Sequence, residues 1–475
     1  MESRSFGRTF CASAALVLGF LSTVASAQTT ASLRVVSYNM EADINGATTP
    51  LPGFYQVLEG IGEEDVGGNV RPIDILGLQE TTSNTTTVQP ILNALNSYYG
   101  AGTYAMSSYQ ATLSDTPDVG SGPNALVYNT KTVQLLESTP VASVGFSGNG
   151  VYRQPVRYKF EPVGGTSADD FYMYVDHFKS GGAASDATAR NGEAKIIRSN
   201  EAGALPSTAR VLYVGDYNFG TSTETTYQTM TTLNSPSPNS KAQGRAVDVY
   251  NPPDINGNVN YTIDWDNSSN LSKLSDSSTN LRYRDDYQFM TTNVYNGTAG
   301  GLAYVSGSYP IFGHNGTVAY HGSASSTGAL TNLVLRGDMN QDSKITAADI
   351  APMLSALTDQ SGYQSTHSFN SHTLTNADLL AAGDINKDGA LTNADLQALL
   401  TELQNPGAAD APVTRSTLQS SLTTGSDHYP VVADYSVSVS GGGSSSSVPE
   451  PSSLALLGLA GLLTFGRYAR QRRAG

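Results

Sequence analysis

Short runs of β-branched and aromatic residues recur along most of the chain, and polar side chains follow many of them. Residues 33–39, 171–175 and 211–214 are runs of this kind, separated by segments rich in Gly, Ser, Thr and Asn. Such runs, bounded by turn residues, are typical of buried strands. Residues 88–98 and 183–204 have helical patterns instead, and the charges of the second predict a solvated amphipathic helix. The pattern therefore predicts an α/β domain.

The strand predicted at 211–214 presents two polar side chains to the loop behind it. Gly215 is expected to end this strand, and Asp216 and Asn218 follow, with their side chains on one face if the chain stays extended. A rigid apolar strand that presents a carboxylate and an amide is a common way to build a site. The alternative is an Asx turn that closes the strand, which Asp and Asn make readily.

Other predicted strands also carry polar residues at or near their ends. These residues are Asn39, Glu80, His177, Asp427 and His428, together with Asp286 inside a strand predicted at 281–290. A single Glu is most often an ordinary surface residue, and a single His is most often structural. However, Lys179 and a Gly-rich loop follow His177. A histidine and a lysine in that position suit phosphate binding better than core packing.

These residue types together indicate metal-dependent chemistry. Carboxylates with few basic neighbours favour a hard divalent cation, Mg²⁺ or Mn²⁺. A histidine paired with an aspartate indicates a general base, and amides are donors to a phosphoryl oxygen. The formal net charge of the chain is −15. A polyanion would therefore not be attracted over the whole surface, and contact with nucleic acid would depend on a local site and on divalent cations.

The first 27 residues have the pattern of a secretory signal peptide. Arg4 and Arg8 precede an apolar run, and an Ala-Ser-Ala cleavage sequence stands at 25–27. The only cysteine, Cys11, lies inside this run. The secreted part would therefore contain neither a disulfide nor a thiol nucleophile.

The C-terminal residues have a composition of their own. A Gly- and Ser-rich linker is predicted at 437–447. The segment 448–475 contains Pro-Glu-Pro, then an apolar run at 454–465, then arginines. This order resembles the PEP-CTERM sorting signal of Gram-negative bacteria. The resemblance implies a protein exported to the cell surface or beyond, with transient membrane association through a transmembrane run until the tail is cleaved. The alternative is a plain C-terminal membrane anchor.

Five short motifs follow one another along the chain. They are Tyr38-Asn39, Leu78-Gln79-Glu80, Gly215-Asp216-Tyr217-Asn218, Asp286-Tyr287 and Ser426-Asp427-His428. Each is short, but their order resembles that of the endonuclease/exonuclease/phosphatase superfamily, which includes DNase I-like nucleases, sphingomyelinases and inositol-polyphosphate phosphatases. The resemblance implies a two-sheet α/β sandwich, which we assign to 28–330 and 406–436, interrupted by a small helical calcium-loop module.

The resemblance also implies a role for each residue. His428 would be the general base for attack of water on a phosphodiester, oriented by Asp286. Asp285 is an alternative orienting residue, although Asp286 directly precedes the aromatic residue, as in the superfamily. The residues that would hold Mg²⁺ are Glu80, Asn39 and Asp427. The residues that would contact the phosphate and support departure of the leaving group are Asp216, Asn218 and His177.

Two stretches of the segment 331–405 repeat one spacing of oxygen-bearing residues. In the first, loop positions 1, 3, 5, 7 and 12 are Asp338, Asn340, Asp342, Lys344 and Asp349. In the second, they are Asp384, Asn386, Asp388, Ala390 and Asp395. This is the spacing of a calcium loop, with Asp for the usual Glu at its end. The pair resembles a dockerin type I module, which implies Ca²⁺ and a cohesin-like or surface partner. The alternative is a calcium-stapled insertion that only stabilises a secreted domain.

The expected protein is thus an exported, metal-dependent phosphodiesterase, an endonuclease or exonuclease that hydrolyses nucleic acid by water attack. Within the same superfamily, the alternative is a phospholipase C-like or phosphomonoester hydrolase. Outside the enzymes, the alternative is a catalytically silent, calcium-binding surface scaffold. The presence of Glu80, Asp216, Asn218 and His428 argues against silence, because a degenerate copy would be free to lose them.

Overall fold

The structure, a computed structural model, describes most of the chain between the two termini. The described residues are 29–41, 50–51, 53–63, 65–66, 69–111, 122–143, 151–232, 245–275, 283–297, 301–314, 334–342, 344–369, 372–386, 389–404 and 415–439. The predicted signal peptide at 1–27 and the predicted sorting segment at 448–475 lie outside these residues. All the described residues belong to one unit of the chain.

The strands of the described residues are numbered here in chain order. They are β1 (Thr29–Asn39), β2 (Asp65–Val66), β3 (Asn69–Val70), β4 (Ile75–Gln79), β5 (Tyr104–Met106), β6 (Ala125–Asn129), β7 (Val133–Pro140), β8 (Val156–Pro162), β9 (Phe171–His177), β10 (Val211–Asp216), β11 (Ala246–Val247), β12 (Asp286–Thr291), β13 (Gly301–Tyr304), β14 (Ser368–Phe369), β15 (His372–Thr373) and β16 (Val431–Val439).

The α-helices of the described residues are numbered in the same way. They are α1 (Phe54–Glu63), α2 (Gln89–Tyr99), α3 (Ala184–Ala204), α4 (Thr225–Thr231), α5 (Thr292–Tyr295), α6 (Ile350–Thr358), α7 (Gln360–Thr366), α8 (Asn376–Gly383), α9 (Asn393–Gln404) and α10 (Arg415–Thr424).

Two six-stranded mixed sheets make up the main domain. The first has the order β13-β16-β1-β4-β6-β5, and the second has the order β11-β12-β10-β9-β8-β7. β1 and β4 are parallel, as are β9 and β10, while β16 and β12 run antiparallel to β1 and β10. The predicted two-sheet α/β sandwich is therefore confirmed.

The two sheets pack face to face through their central strands. Gly77 of β4 lies against Val175 of β9 and Val214 of β10, and a Cβ at this glycine would come within 2.9 Å of Val214 Cγ2. Both valines are fully buried in the large hydrophobic core that the sheets share. The absence of a side chain at Gly77 thus lets the two sheets approach closely where β4 packs against β9 and β10.

A buried ion pair joins the two parts of the chain that form the first sheet. Arg34 of β1 donates two hydrogen bonds, of 2.8 and 3.0 Å, to the carboxylate of Asp434 in β16. The same guanidinium donates to the backbone oxygen of Ile61 at 2.7 Å. Because both charged groups are buried, each depends on the other for compensation.

Replacing Asp434 with asparagine is expected to cost about 3–5 kcal/mol of unfolding free energy, because Arg34 would keep a buried charge without its partner. Urea unfolding of the full chain, followed by circular dichroism, measures this cost. Glu137→Gln is the matched control, since Glu137 is an exposed carboxylate on β7 and its loss is expected to change stability by less than about 0.5 kcal/mol. Equal stabilities of the two variants would contradict the prediction.

The helical insertion lies in the chain between β13 and β16. It contains α6 to α9 and has its own core, in which Met353, Leu379 and Leu399 are buried. Val70 of β3 belongs to the same core, so the insertion packs against the main domain. The backbone N–H of Val334 donates to the backbone oxygen of Glu63 at 2.8 Å, at the end of α1.

Arg336 connects the insertion to the main domain. Its guanidinium stacks on the ring of Tyr98 at 5.3 Å, and its Nε lies 3.8 Å from Glu63 Oε1. The hydroxyl of Tyr98 also donates to Glu63. On the other side, Arg336 donates to the backbone oxygen of Asp384, which opens the second predicted calcium loop. One buried arginine thus contacts both the C-terminal ends of α1 and α2 and this predicted loop.

The structure corrects two predictions about strand ends. The strand that begins at Val211 does not end at Gly215 but continues to Asp216. Gly215 is needed inside the strand, because a Cβ there would come within 2.0 Å of the backbone oxygen of Asp176 in β9. The last strand runs to Val439, beyond the bound of 436 assigned to the sandwich. Its final residues therefore lie in the segment predicted to be linker.

Two predictions about helices were also wrong. The Gly and Pro residues of the segment from 48 to 68 predict a loop with one helical turn, but this segment contains the ten-residue helix α1. Helix α3 is not solvated on its charged face, because Arg190, Glu193 and Arg198 are buried. Arg190 pairs with Glu224, and Glu193 accepts the backbone N–H groups of Tyr152 and Lys179.

Candidate active site

The polar residues predicted at strand ends meet at one edge of the sandwich. Asn39 ends β1, and Glu80 follows β4, so the parallel pairing of these strands brings both to the same edge of the first sheet. His177 ends β9, and Asp216 ends β10, with the two residues paired in register. Asp286 opens β12 opposite Asp216 in the antiparallel pair. The segment that contains His428 precedes β16 and reaches the same edge.

Hydrogen bonds link these residues across the two sheets. Asn39 Nδ2 donates to Asp216 Oδ2 at 3.0 Å and lies 3.4 Å from His428 Nε2. His177 Nε2 lies 3.4 Å from the same carboxylate oxygen and 3.8 Å from Glu80 Oε1. All five side chains are buried. Their polar atoms therefore depend on one another, or on a bound ion or substrate, for compensation.

His428 and Asp286 form a close pair. Nδ1 of His428 lies 2.7 Å from Oδ2 of Asp286. With the ring proton assigned to Nδ1 on the basis of this contact, Nε2 is a proton acceptor that faces Asn39. Burial alone would lower the pKa of His428, but the carboxylates of Asp286 and Asp427 outweigh burial and hold this pKa well above its usual value. The imidazole is therefore a strengthened base.

Asp216 and Asn218 form the Asx turn that was the alternative for them, and they also belong to the site. Asn218 donates to Asp216 Oδ1 through its backbone N–H at 3.0 Å and through Nδ2 at 2.7 Å. Asn218 adopts a left-handed conformation, with φ of 53°, which Asn tolerates better than most residues. Burial raises the pKa of Asp216, and nearby Asp286 raises it further, while His428 lowers it. The turn fixes one carboxylate oxygen and leaves Oδ2 facing Asn39 and His177.

His177 has the opposite electrostatic environment to His428. Burial lowers its pKa well below the usual value, and the positive charge of Arg153, together with that of His428 when it carries a second ring proton, lowers it further. Arg153 is a buried residue that the sequence analysis missed, and it donates to the backbone oxygen of Phe178 at 2.9 Å. His177 is thus a neutral imidazole beside two carboxylates, which suits a ligand or a hydrogen-bond donor rather than a cation.

Glu80, His177 and Asp216 form a candidate metal centre. Each offers one ligand atom, and these atoms lie within 4.8 Å of one another. Two carboxylates and a neutral imidazole are a donor set that fits a divalent cation. Asp216, Asp286 and His428 make a second group with the same spacing, but in it the imidazole and Asp286 already bind each other. The donor set therefore favours the group that contains Glu80.

The other two predicted metal ligands have different surroundings. The side-chain oxygen of Asn39 accepts the backbone N–H of Glu41 at 3.1 Å, and its amide nitrogen faces Asp216. Asp427 is half-buried, with Oδ1 3.8 Å from His428 Nε2. Its backbone N–H donates to Glu41 Oε2 at 3.0 Å. Asp427 does not belong to a group of metal-binding carboxylate and imidazole side chains with Glu80 among the described residues.

The two predicted calcium loops fold around their last aspartates. Asp349 Oδ1 accepts the backbone N–H of Asn340 at 3.0 Å, and Asp395 Oδ1 accepts that of Asn386 at 3.1 Å. Both aspartates are buried, and Asp338 and Asp384, which open the loops, are nearly so. Asp338 Oδ1 accepts the backbone N–H of Asp342 at 3.0 Å. Lys344 and Ala390 are exposed at loop position 7, and Asp388 lies outside the described residues.

No helix within the described ranges is long and apolar enough to cross a membrane. The apolar run predicted to span a membrane, 454–465, lies outside those ranges.

Comparisons with known proteins give two family matches and several structural ones. Residues 336–404 match the family described as Dockerin type I domain, and residues 447–473 match the PEP-CTERM protein-sorting motif. Both predicted resemblances are therefore confirmed. No curated protein matches the chain.

The chain is similar to several solved structures. An endonuclease/exonuclease/phosphatase family protein from Bacteroides thetaiotaomicron has 12% identity and a TM-score of 0.40, over 86% of this chain and 100% of that one. The catalytic domain of human Nocturnin has 18% identity and a TM-score of 0.39, over 58% of this chain and 88% of that one. ANGEL2, described as a 2',3'-cyclic phosphatase, has 12% identity and a TM-score of 0.39, over 86% of this chain and 98% of that one. The chain therefore combines the two-sheet α/β sandwich described above with a dockerin type I domain at 336–404 and a PEP-CTERM motif at 447–473.

Proposed function

We propose that the chain is an exported, metal-dependent phosphodiesterase that hydrolyses nucleic-acid phosphodiester bonds by direct attack of water. One observation carries the proposal. The His428–Asp286 pair, a base with its orienting carboxylate, stands beside the cluster formed by Glu80, His177 and Asp216. Asn39 connects the two through its amide. A proton acceptor next to a donor set for a divalent cation is what water attack on a phosphoester needs.

His428 acts as the general base in the proposed reaction. Its Nε2 takes a proton from water as the water oxygen bonds to phosphorus, and the bond from phosphorus to the leaving oxygen breaks. Asp286 keeps the imidazole in the tautomer that leaves Nε2 free, through the 2.7 Å contact with Nδ1, and stabilises the imidazolium that forms. A positioned base of this kind contributes about 10²–10⁴-fold to a rate.

Glu80, His177 and Asp216 would hold the cation in this proposal. A divalent ion bound there would supply positive charge beside the phosphate and offset the carboxylate charge that raises the pKa of His428. This assignment differs from the sequence-based one, because His177 replaces Asn39 and Asp427 as a ligand. Asn39 instead donates a hydrogen bond, and Asp427 adds negative charge beside the base.

The turn after β10 would hold one ligand of the cation. Asn218 donates to Asp216 through its backbone N–H and its side-chain amide, and the amide also donates to the backbone oxygen of Phe178. The turn thus fixes the carboxylate of Asp216. This carboxylate lies within 3.9 Å of His428, so the cation that it would bind stands next to the base.

Charge supports a second substrate class within the same reaction type. The chain carries a formal net charge of −15, which disfavours long polyanions away from the site. Small phosphodiesters and phosphomonoesters, or a phospholipid headgroup, avoid this repulsion. The PEP-CTERM motif supports export. The dockerin type I domain supports calcium binding and a cohesin-like partner.

Hydrolysis assays with the full chain test the proposal. Plasmid DNA, RNA, sphingomyelin and bis-nitrophenyl phosphate are offered side by side with Mg²⁺, Mn²⁺ or Ca²⁺. Cleavage of DNA or RNA supports the nuclease, whereas turnover of sphingomyelin or of the small diester alone supports the second substrate class. No turnover with any substrate and metal would favour a non-catalytic scaffold instead.

A Gly122→Ala substitution is expected to lower kcat by about 10²-fold through displacement of Glu80, since a misplacement of about 1 Å at a site has that effect. A Cβ at Gly122 would lie 1.6 Å from the backbone oxygen of Thr81. Thr81 is held to the segment after Gly122 by hydrogen bonds from its N–H and hydroxyl to the backbone oxygen of Pro123. Glu80, with φ of 57°, is already strained and must follow Thr81.

The Gly122 prediction is measured as kcat for the best substrate, with magnesium titrated. Gly192→Ala is the matched control, because a Cβ at Gly192 in α3 meets nothing within 4 Å. Its kcat is expected to equal that of the unmodified chain. A Gly122→Ala variant with unchanged kcat would contradict the role given to Glu80.

A further inference from the structure

Ser275 is a fully buried serine beside the His428–Asp286 pair, in a Ser- and Asn-rich part of the chain. It follows a short helical turn at Ser268–Lys273. Its backbone N–H donates to the backbone oxygen of Tyr283 at 2.9 Å, and its backbone oxygen accepts the N–H of Tyr429 at 2.8 Å. Ser275 therefore joins the segment that leads to Asp286 to the segment that contains His428.

The hydroxyl of Ser275 binds Asp286 twice. Oγ donates to Asp286 Oδ2 at 2.8 Å and accepts the backbone N–H of Asp286 at 3.0 Å. Oδ2 is the same oxygen that faces Nδ1 of His428 at 2.7 Å. The other carboxylate oxygen, Oδ1, is buried and has no hydrogen-bond partner among the described residues.

These contacts decide which way the carboxylate points. Two hydrogen bonds converge on Oδ2 from different directions, so the carboxylate cannot rotate without losing one of them in a buried environment. Without the Ser275 hydroxyl, the contact with His428 alone would hold the carboxylate, and the N–H of Asp286 would lose its acceptor. The orientation of Asp286 in turn sets the tautomer and direction of the imidazole.

We infer that Ser275 is a positioning residue for the proposed general base, acting through the carboxylate of Asp286. The inference rests on the proposed function, and it extends the base from a pair to a chain of three side chains, Ser275, Asp286 and His428. Ser275 does not itself reach the reacting atoms. Its backbone hydrogen bonds hold the local fold, and its hydroxyl orients the catalytic pair.

Kinetics with bis-nitrophenyl phosphate and the full chain separate these two contributions, because Ser275→Ala removes the hydroxyl and keeps the backbone bonds. We expect kcat to fall about 10–100-fold, the loss typical of groups that orient a functional side chain, with KM unchanged. Ser275→Thr retains a hydroxyl and is expected to recover most of kcat. Combining Ser275→Ala with Asp286→Asn is expected to lower kcat little further than Asp286→Asn alone, because both changes break one chain of contacts.

Ser308→Ala is the matched control. Ser308 is also buried, and its hydroxyl also accepts the backbone N–H of an aspartate, Asp434, at 3.0 Å. Its loss is expected to reduce stability and leave kcat unchanged. If Ser308→Ala lowers kcat as much as Ser275→Ala does, the effect is one of general stability and the inference is overturned.

The kinetic outcomes distinguish the inference from the function on which it rests. A wild-type kcat in Ser275→Ala, or losses that add fully with Asp286→Asn, would overturn the positioning role while hydrolysis by the unmodified chain upheld the function. Absence of turnover by the unmodified chain would overturn both. If Ser275→Thr does not fold, comparing kcat of Asp286→Asn with kcat of the double variant still tests the positioning role of Ser275.

Discussion

Replacing His428 with alanine is expected to lower kcat by about 10²–10⁴-fold on every substrate that the protein hydrolyses, because the group that accepts the proton of water is lost. The fold is expected to survive. His428 lies at the edge of the sandwich, and Asp286 would keep its hydrogen bonds to Ser275. The measurement is kcat and KM with bis-nitrophenyl phosphate, together with near-ultraviolet circular dichroism as a test of tertiary structure.

His367→Ala is the control for the His428 prediction. His367 is exposed in the insertion, where it stacks on Tyr363 at 3.9 Å, and it makes no contact with the candidate site. Full activity of His367→Ala beside inactive His428→Ala would support the assignment of the base. If His428→Ala kept its activity in a folded protein, His428 would not be the base, and His177 would be the next candidate.

The polar residues near the strand ends were predictable from sequence because burial leaves a strong local pattern. Runs such as 211–214 are apolar on both faces, which few surface segments are, and the polar residue that follows such a run is conspicuous. Asn39, Glu80, His177 and Asp216 were found in this way, and the structure brings their side chains together. Their exact partners were not predictable, because contacts between the two sheets join residues far apart in the chain.

The residues missed by sequence analysis are those whose role is set by distant contacts. Ser275 lies in a Ser-rich stretch whose local pattern resembles an ordinary loop. Helix α1 was missed because Gly60 and Gly62 look like helix breakers. Gly60 in fact packs against Leu418 of α10, where a Cβ would come within 2.5 Å of Leu418 Cδ2. Close packing therefore explains a residue that local propensity alone argues against.

The burial of the charged face of α3 was likewise not predictable from the local sequence. Arg190 and Glu193 are spaced as a solvated helix face would be, and nothing local indicates that they are buried. Their partners, Glu224 and the backbone of the segment after His177, come from other elements. By contrast, the dockerin type I module was predictable from the sequence, because the proposed ligands of each loop lie within twelve residues of one another.

Calcium bound at the second predicted loop of the insertion would have a route to the main domain. Asp384 opens the second loop, and its backbone oxygen accepts a hydrogen bond from Arg336. Arg336 also contacts Glu63 and Tyr98, at the C-terminal ends of α1 and α2. The N-terminal end of α1 carries Phe54, which stacks at 4.5 Å on Tyr38, the neighbour of Asn39. This arrangement favours the stabilising role predicted for the insertion. It does not conflict with docking of a partner.

Removal of calcium with EGTA, in the presence of Mg²⁺, is therefore expected to destabilise the main domain as well as the insertion. An ion at 100 times its Kd stabilises the folded state by about 2.7 kcal/mol per site. Asp349→Ala and Asp395→Ala are each expected to remove the stabilisation that one bound calcium ion contributes. Calorimetry measures the loss, and hydrogen exchange of residues 54–63 and 89–99 measures its spread to α1 and α2.

Arg336→Met tests whether the effect passes through the arginine. Methionine fills similar space without the hydrogen bond or the charge, so calcium is expected still to stabilise the insertion but no longer to slow exchange in α1 and α2. Asp359→Ala is the control, because Asp359 is an exposed N-cap of α7 outside both loops, and the response to calcium should be kept. A melting curve unchanged by EGTA would refute calcium binding. Exchange in α1 and α2 that still responds in Arg336→Met would refute the route, because the insertion would then act on the main domain through its other contacts.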